Sequence, residues 1–216
     1  EEAGNQVSEA IKRVVTAFVG LEAIKQGIDL LKQFGASALE AYSATETTSK
    51  QFDTLFSTSA AEWVDNYSEA VHRSTSEVMG FMVQNKTMYQ ELGITGEAAE
   101  ELSSLTTSLA YDFGNAFSMD DAEALGLVQS AIQGDTAALS AYGVTLDETA
   151  LKQSAAALGL SENIDALDDA AMAQVRLNAI LDQTADVQQA AINQTGGLTN
   201  SVKSLNGVWS NFLTTA

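Results

Sequence analysis

Apolar and small residues near the start of the chain fall at Val7, Ile11, Val14, Phe18, Leu21, Ile24, Ile28, Leu31, Gly35, Ala38 and Tyr42. The steps alternate four and three, with one doubled three between Leu21 and Ile24. That is the spacing of a coiled-coil seam carrying a stammer. It predicts one amphipathic helix from Gln6 to Ala44, which at 1.5 Å per residue is about 60 Å long. A rod of that length exceeds the diameter of a small domain, so its apolar stripe needs partner helices from this chain or from copies of it. Val7, Ile11, Val14, Phe18, Leu21, Ile24, Ile28 and Leu31 are therefore the candidate self-association residues. Gly20 and Gly35 interrupt the run, and an interior glycine costs about 1 kcal/mol relative to alanine. Two shorter helices broken at one of them are the alternative.

A second helical stretch is predicted from Thr48 to Leu92, carrying Phe52, Leu55, Phe56, Trp63, Val64, Tyr67, Val71, Val78, Phe81, Met82 and Met88. Its break is placed at Ser57-Thr58-Ser59, with Ser59 as the N-cap of the helix bearing Trp63. Gly93-Ile94-Thr95-Gly96 closes this stretch. Thr95 then caps a helix through Leu102, Leu105, Leu109 and Phe113, with Glu97 favourably placed in its first turn. Ser118 with Asp121 reads as a capping box for a helix through Leu125, Val128 and Ile132 to Gly134. Asp135 caps a short helix ending at Tyr142-Gly143.

In "VTLDETALKQSAAALGL", Thr145 with Glu148 forms a capping-box pattern and favours helix. Val144, Thr145 and Leu146 also suit a short strand, so a minor strand pair near 144–160 stays open. A last long helix is predicted from Asp168 to Ala191. Beyond Gly196-Gly197, the residues Leu198, Val202, Leu205 and Trp209 begin a further amphipathic helix. The expected fold is all-α, with a long coiled-coil-like helix over 1–46, a packed multi-helix domain over 47–195, and the start of another helix over 196–216. The chain opens on Glu1-Glu2, which reads as a piece of something longer.

Composition narrows the picture. The 216 residues contain no proline and no cysteine, and 45% are hydrophobic. Long helices are permitted and a buried core is affordable, while a disulfide scaffold, a thiolate zinc site and a thiol nucleophile are excluded. The formal charge of −19 is uneven: −5 falls in residues 1–86 and −14 in residues 87–216. No basic residue lies between Lys86 and Lys152. Such a surface repels phosphate, which argues against nucleic-acid binding and against an anionic membrane face. The most apolar window, Val14 to Leu21, is bracketed by Arg13 and Glu22 and is too short to span a bilayer. It is read as a buried helix face rather than a secretion signal.

Candidate chemistry is sparse. His72 is the one histidine, and beside Glu69 and Arg73 it reads as surface decoration rather than a switch or ligand. The acidic groups Asp120-Asp121-Ala122-Glu123 and Asp165-Ala166-Leu167-Asp168-Asp169 lack the alternating ligands and central glycine of a calcium loop, and both sit where helix N-termini are expected. No GxSxG elbow or phosphate loop is present, and no carboxylate pair stands out. Asn66, Asn85 and Asn193 match the glycosylation tripeptide, a pattern common by chance. Trp63, Phe113, Phe117 and Trp209 lie at helical spacing and suit a core or an interface. No catalytic, metal or cofactor-binding residues are expected.

One ordered series of motifs adds to this. Met79-Gly80-Phe81 with Asn85 is followed by "LGITGEAAEELSSLTTSLAYDFGNAFSMDDAEAL" and by "AIQGDTAALSAYGV". Upstream lies "FGASALEAYSATETTSKQFDTLF"; downstream lie "AQVRLNAILDQTADVQQAA" and "TGGLTNSVKSLNGVWSNF". In that order the series resembles the shared domain of phage tail tape-measure proteins, over roughly residues 34–212. The resemblance implies a non-enzymatic, helix-rich virion protein that lies in the tail lumen, sets tail length, and assembles in the bacterial host cytoplasm. Its implied partners are copies of itself and the tail tube, tail tip and tail assembly chaperone proteins. The rival expectations are the same domain in a phage-derived contractile bacteriocin or injection particle, a secreted helical toxin or interaction module, and, third, an enzyme.

Overall fold

Short oxygen-bearing side chains begin most of the helices, because a helix leaves its first N–H groups without intrahelical partners. The computed structural model describes residues 46–185, whose regular elements are all helices: α1 (46–55), α2 (Thr58–Val71), α3 (Thr75–Glu91), α4 (Gly96–Phe117), α5 (Asp121–Gln133), α6 (Glu148–Ala157) and α7 (Asp169–Gln183). Two short 3-10 turns, Ser140–Tyr142 and Ile164–Ala166, precede α6 and α7 respectively. The caps are Ser57, Ser74, Asp120, Asp147 and Asp168, each accepting a first-turn backbone N–H. Thr95 precedes α4 as expected, but its hydroxyl makes no capping hydrogen bond.

Several expected boundaries move by a few residues, each for a local reason. Ser57, not Ser59, caps α2, because the Ser57 Oγ reaches the Ala60 N–H. Asp120 replaces Ser118 as the cap of α5: its carboxylate accepts from both Ala122 and Glu123, while Ser118 closes α4 in the left-handed region at φ 53°. Asp147 likewise caps α6 in place of Thr145. The stretch predicted as unbroken from Trp63 to Leu92 is divided at His72, which sits at φ 55° and closes α2 through bonds to Glu69 and Ser68. Ser74 then starts α3. No strand occurs among the described residues; Val144 and Leu146 are buried from a loop. The segment after Asp135 is a run of turns ending in the 3-10 turn. Helix α7 closes at Thr184, and the part predicted to continue to Ala191 lies outside the described residues.

Residues 48–185 belong to one packing unit. At its centre is α4, with 13 of its 22 residues buried; it packs on α2, α3 and α5, while α6 pairs with α7 and α7 leans on α5. Two apolar clusters result. The larger joins Tyr89, Ile94, Leu102, Leu109, Phe113, Ile132, Leu139, Leu177 and Ile180. The smaller gathers Phe52, Val64, Tyr67, Val78, Phe81, Met82 and Tyr111 where α1 to α4 meet. Among the described residues no helix is long and apolar enough to cross a membrane.

Candidate functional site

The smaller cluster encloses an ionised pair. On α3 the buried positions Val78, Phe81, Met82, Asn85, Lys86, Met88 and Tyr89 follow helical spacing, and this brings a lysine into the interior. The Lys86 side chain is 5% exposed. Its ammonium donates to the Leu55 carbonyl at the end of α1, donates to Glu100 Oε1 at 2.9 Å, and lies 4.5 Å from the Phe56 ring centroid. Glu100 Oε2 in turn accepts from the Ser57 hydroxyl at 2.6 Å and from the Ser57 N–H at 3.3 Å. Burial works against the Glu100 carboxylate, but the Ser57 hydroxyl, Lys86 and the Ser57 N–H together hold its pKa below the ordinary value. One charge-assisted knot therefore ties the end of α1 and the start of α2 to α3 and α4.

Beside the knot a cleft of about 490 Å³ opens between α2 and the first turns of α4. Ala60, Trp63 and Met82 supply its apolar surface, and Glu97, Glu100 and Glu101 its acidic side. Trp63 is half-buried and stacked on Tyr67 at 4.6 Å, so its indole is fixed in place. Burial, reinforced by the neighbouring Glu97 charge, pushes the Glu101 carboxyl up.

Behind this wall lies a polar seam. The Asn85 amide donates to Thr107 at 2.9 Å and accepts from Gln129 at 2.8 Å, linking α3, α4 and α5. Tyr89 and Thr106 share a hydrogen bond of 2.6 Å. Arg73 clamps Asp121 through two nitrogens, at 2.5 and 3.3 Å, and lies 5.8 Å from the Tyr111 ring centroid. The hydrogen bond to Asp121 raises the Arg73 pKa. Asp112, 7% exposed, has no such cation among the described residues, and burial raises its pKa to about 7. The Tyr67 hydroxyl is buried with no hydrogen-bond partner among the described residues, and burial is the first cause of the raised pKa values of Tyr67 and Tyr111. The hydrogen-bonded groups among these tie α3, α4 and α5 together.

The sequence-predicted seam, Val7, Ile11, Val14, Phe18, Leu21, Ile24, Ile28 and Leu31, lies outside the described residues, as does Trp209. His72 is exposed at the helix end. Asp120 and Asp168 act as caps, as expected of both acidic groups. No cluster of potential metal ligands occurs among the described residues. Asn85 is wholly buried, which removes it as a glycan acceptor. Phe113 is core, while Phe117 is 38% exposed and packs at a tilt against Phe113 and edge-on against Tyr142. Sequence reasoning did not single out the Lys86 and Glu100 pair, the Asn85 hub or Asp112. A signal existed for the first two: Asn85 and Lys86 fall in register with Val78, Phe81, Met82 and Tyr89. Comparison of the chain with protein families, curated proteins and solved structures gives no match.

Proposed function

We propose that this chain is a structural segment of a tail tape-measure protein, working passively inside a tail tube as part of a helical ruler. The observation that carries the reading is the ordered series of motifs from Phe34 to Phe212. The all-helical body and its central α4, formed by the "GEAAEELSSLTTSLAYDFGNAF" stretch, are of the kind the resemblance implies. The comparisons add nothing to it. A chain of 216 residues drawn out as one helix would reach about 320 Å, and the repeated turns between α1 and α7 shorten it greatly. The segment is thus a packed domain along the ruler and not its whole length. Its acidic later half keeps it from adhering to DNA that follows through the same lumen. Copies of itself and the tube, tip and assembly-chaperone proteins are its proposed partners.

The test is an in-frame duplication of the segment encoding residues 46–185 in the full-length gene, with particles viewed by electron microscopy. Lengthened tails are expected. Particles without tails, or the protein found on no virus-like object, would overturn the reading. Unchanged tails with lost infectivity would reassign the domain to tip or assembly contacts.

A further inference from the structure

We propose that the cleft between α2 and α4 docks a basic, amphipathic polypeptide segment, which lays an apolar side chain on Trp63 and sets lysine or arginine against Glu97 and Glu101. The inference stands on the geometry of the cleft and does not depend on the tape-measure reading.

The apolar half of the site is already built. Trp63 is held against Tyr67, with Ala60 beside it and Met82 beneath. A pre-positioned aromatic surface binds an apolar side chain without first losing rotamer freedom. A cleft of about 490 Å³ accommodates one or two such side chains.

The acidic half lacks its counterpart. Glu97 and Glu101 are four residues apart on α4, an arrangement in which like charges repel. Neither has an ion-pair partner among the described residues; Arg73 pairs with Asp121, Lys86 with Glu100 and Lys152 with Glu148. Lys86 is the cation next to the cleft, and Glu100, the Leu55 carbonyl and the Phe56 ring already satisfy it. The surface therefore presents two uncompensated carboxylates beside a fixed indole. Burial raises the pKa of the half-buried Glu101, and the Glu97 charge adds to the rise. An incoming ammonium or guanidinium relieves that repulsion, and the apolar contact excludes water from the new pair. The same charge pattern turns away nucleic acid and anionic lipid.

The experiment uses the full chain carrying Trp209→Phe, which leaves Trp63 as the sole tryptophan. A short amphipathic peptide of leucine and lysine is titrated while Trp63 emission is followed; a leucine and glutamate peptide is the control. Saturable change with the basic peptide and none with the acidic one is expected. Glu97→Gln with Glu101→Gln should weaken binding by about tenfold, the scale of two partly exposed ion pairs. Glu162→Gln with Asp165→Asn, which removes equal charge from exposed positions outside the cleft, should change it by less than about twofold. Ser59→Lys, which places a cation in the cleft, should also weaken it and is an independent check should the first pair disturb folding. Equal losses in the two neutralised pairs, or binding that leaves Trp63 emission unchanged, would overturn the proposal.

Discussion

The ammonium of Lys86 and the carboxylate of Glu100 meet at 2.9 Å with side-chain exposures of only 5 and 18%. Each belongs to a different helix; Lys86 also bonds to the last residue of α1, and Glu100 to Ser57 in the short link between α1 and α2. Removing one partner leaves an uncompensated charge in the interior. Lys86→Ala is expected to destabilise the unit by roughly 3–5 kcal/mol in urea unfolding. Lys86→Met combined with Glu100→Leu should recover most of that loss, because an apolar pair of similar volume needs no desolvation. The lowered pKa of Glu100 gives the pair a pH signature. Its contribution is present above the unfolded carboxylate pKa and is lost as pH falls through the folded value.

Asp112 works in the opposite direction. Burial raises its pKa from 3.8 to about 7, so over that interval the folded state holds a proton that the unfolded state has released. The stability associated with this group is complete below the unfolded pKa. It declines as pH rises through the folded one, leaving a penalty on the order of 4 kcal/mol above about pH 7. Asp112→Asn is expected to raise stability at pH 8 by roughly 2 kcal/mol or more, since the amide is smaller in desolvation cost than a carboxylate. It should also flatten the pH dependence of the unfolding midpoint between pH 4 and 8, measured by chemical denaturation.

The N-terminal seam makes a prediction independent of the described residues. If its four-and-three spacing codes for association, the full chain is oligomeric, and Ile11→Glu with Phe18→Glu introduces charges into the seam that no partner compensates. Multi-angle light scattering is expected to report more than one chain for the parent and a single chain for the variant. A monomeric parent would show that the seam does not mediate self-association.

Much of the helical order was readable in the sequence. Gly93 to Gly96, Gly134 and the acidic residues before α5 and α7 interrupt helical periodicity with residues that favour turns and caps, and the helices begin and end around them. The break at His72 was not readable. Val71 and Val78 are in phase across it, and neither proline nor glycine marks the turn, so periodicity alone runs straight through. The caps were shifted for a related reason. Ser57, Thr58 and Ser59 are all competent N-caps, and Ser118 through Asp121 offer three; the choice depends on Glu100 and Gly114, which are distant in the chain or belong to the preceding helix. The site was still harder to read. A lysine or asparagine within an apolar stripe is visible in the sequence, but the carboxylate and the Gln129 amide that make it tolerable come from 14 and 44 residues away.

The two left-handed residues that close helices α2 and α4 give a last measurable consequence. His72 at φ 55° and Ser118 at φ 53° occupy a region that crowds a Cβ against the backbone, at a cost of about 1 kcal/mol for most side chains. Both side chains are exposed, and the closing bonds are made by main-chain groups, from Arg73 N to the Ser68 carbonyl and from Met119 N to the Gly114 carbonyl. Glycine keeps those bonds and removes the crowding, though it also adds freedom to the unfolded chain. Ser118→Gly and His72→Gly are each expected to stabilise by roughly 0.5–1 kcal/mol, and, because they sit at different helix ends without shared partners, to add. Ser118→Val should destabilise by at least as much, because a β-branched side chain fits the left-handed region worst. Thermal unfolding of the parent, the two glycine variants, their combination and Ser118→Val measures the series, and a glycine variant no more stable than the parent would show that the turn is not under this strain.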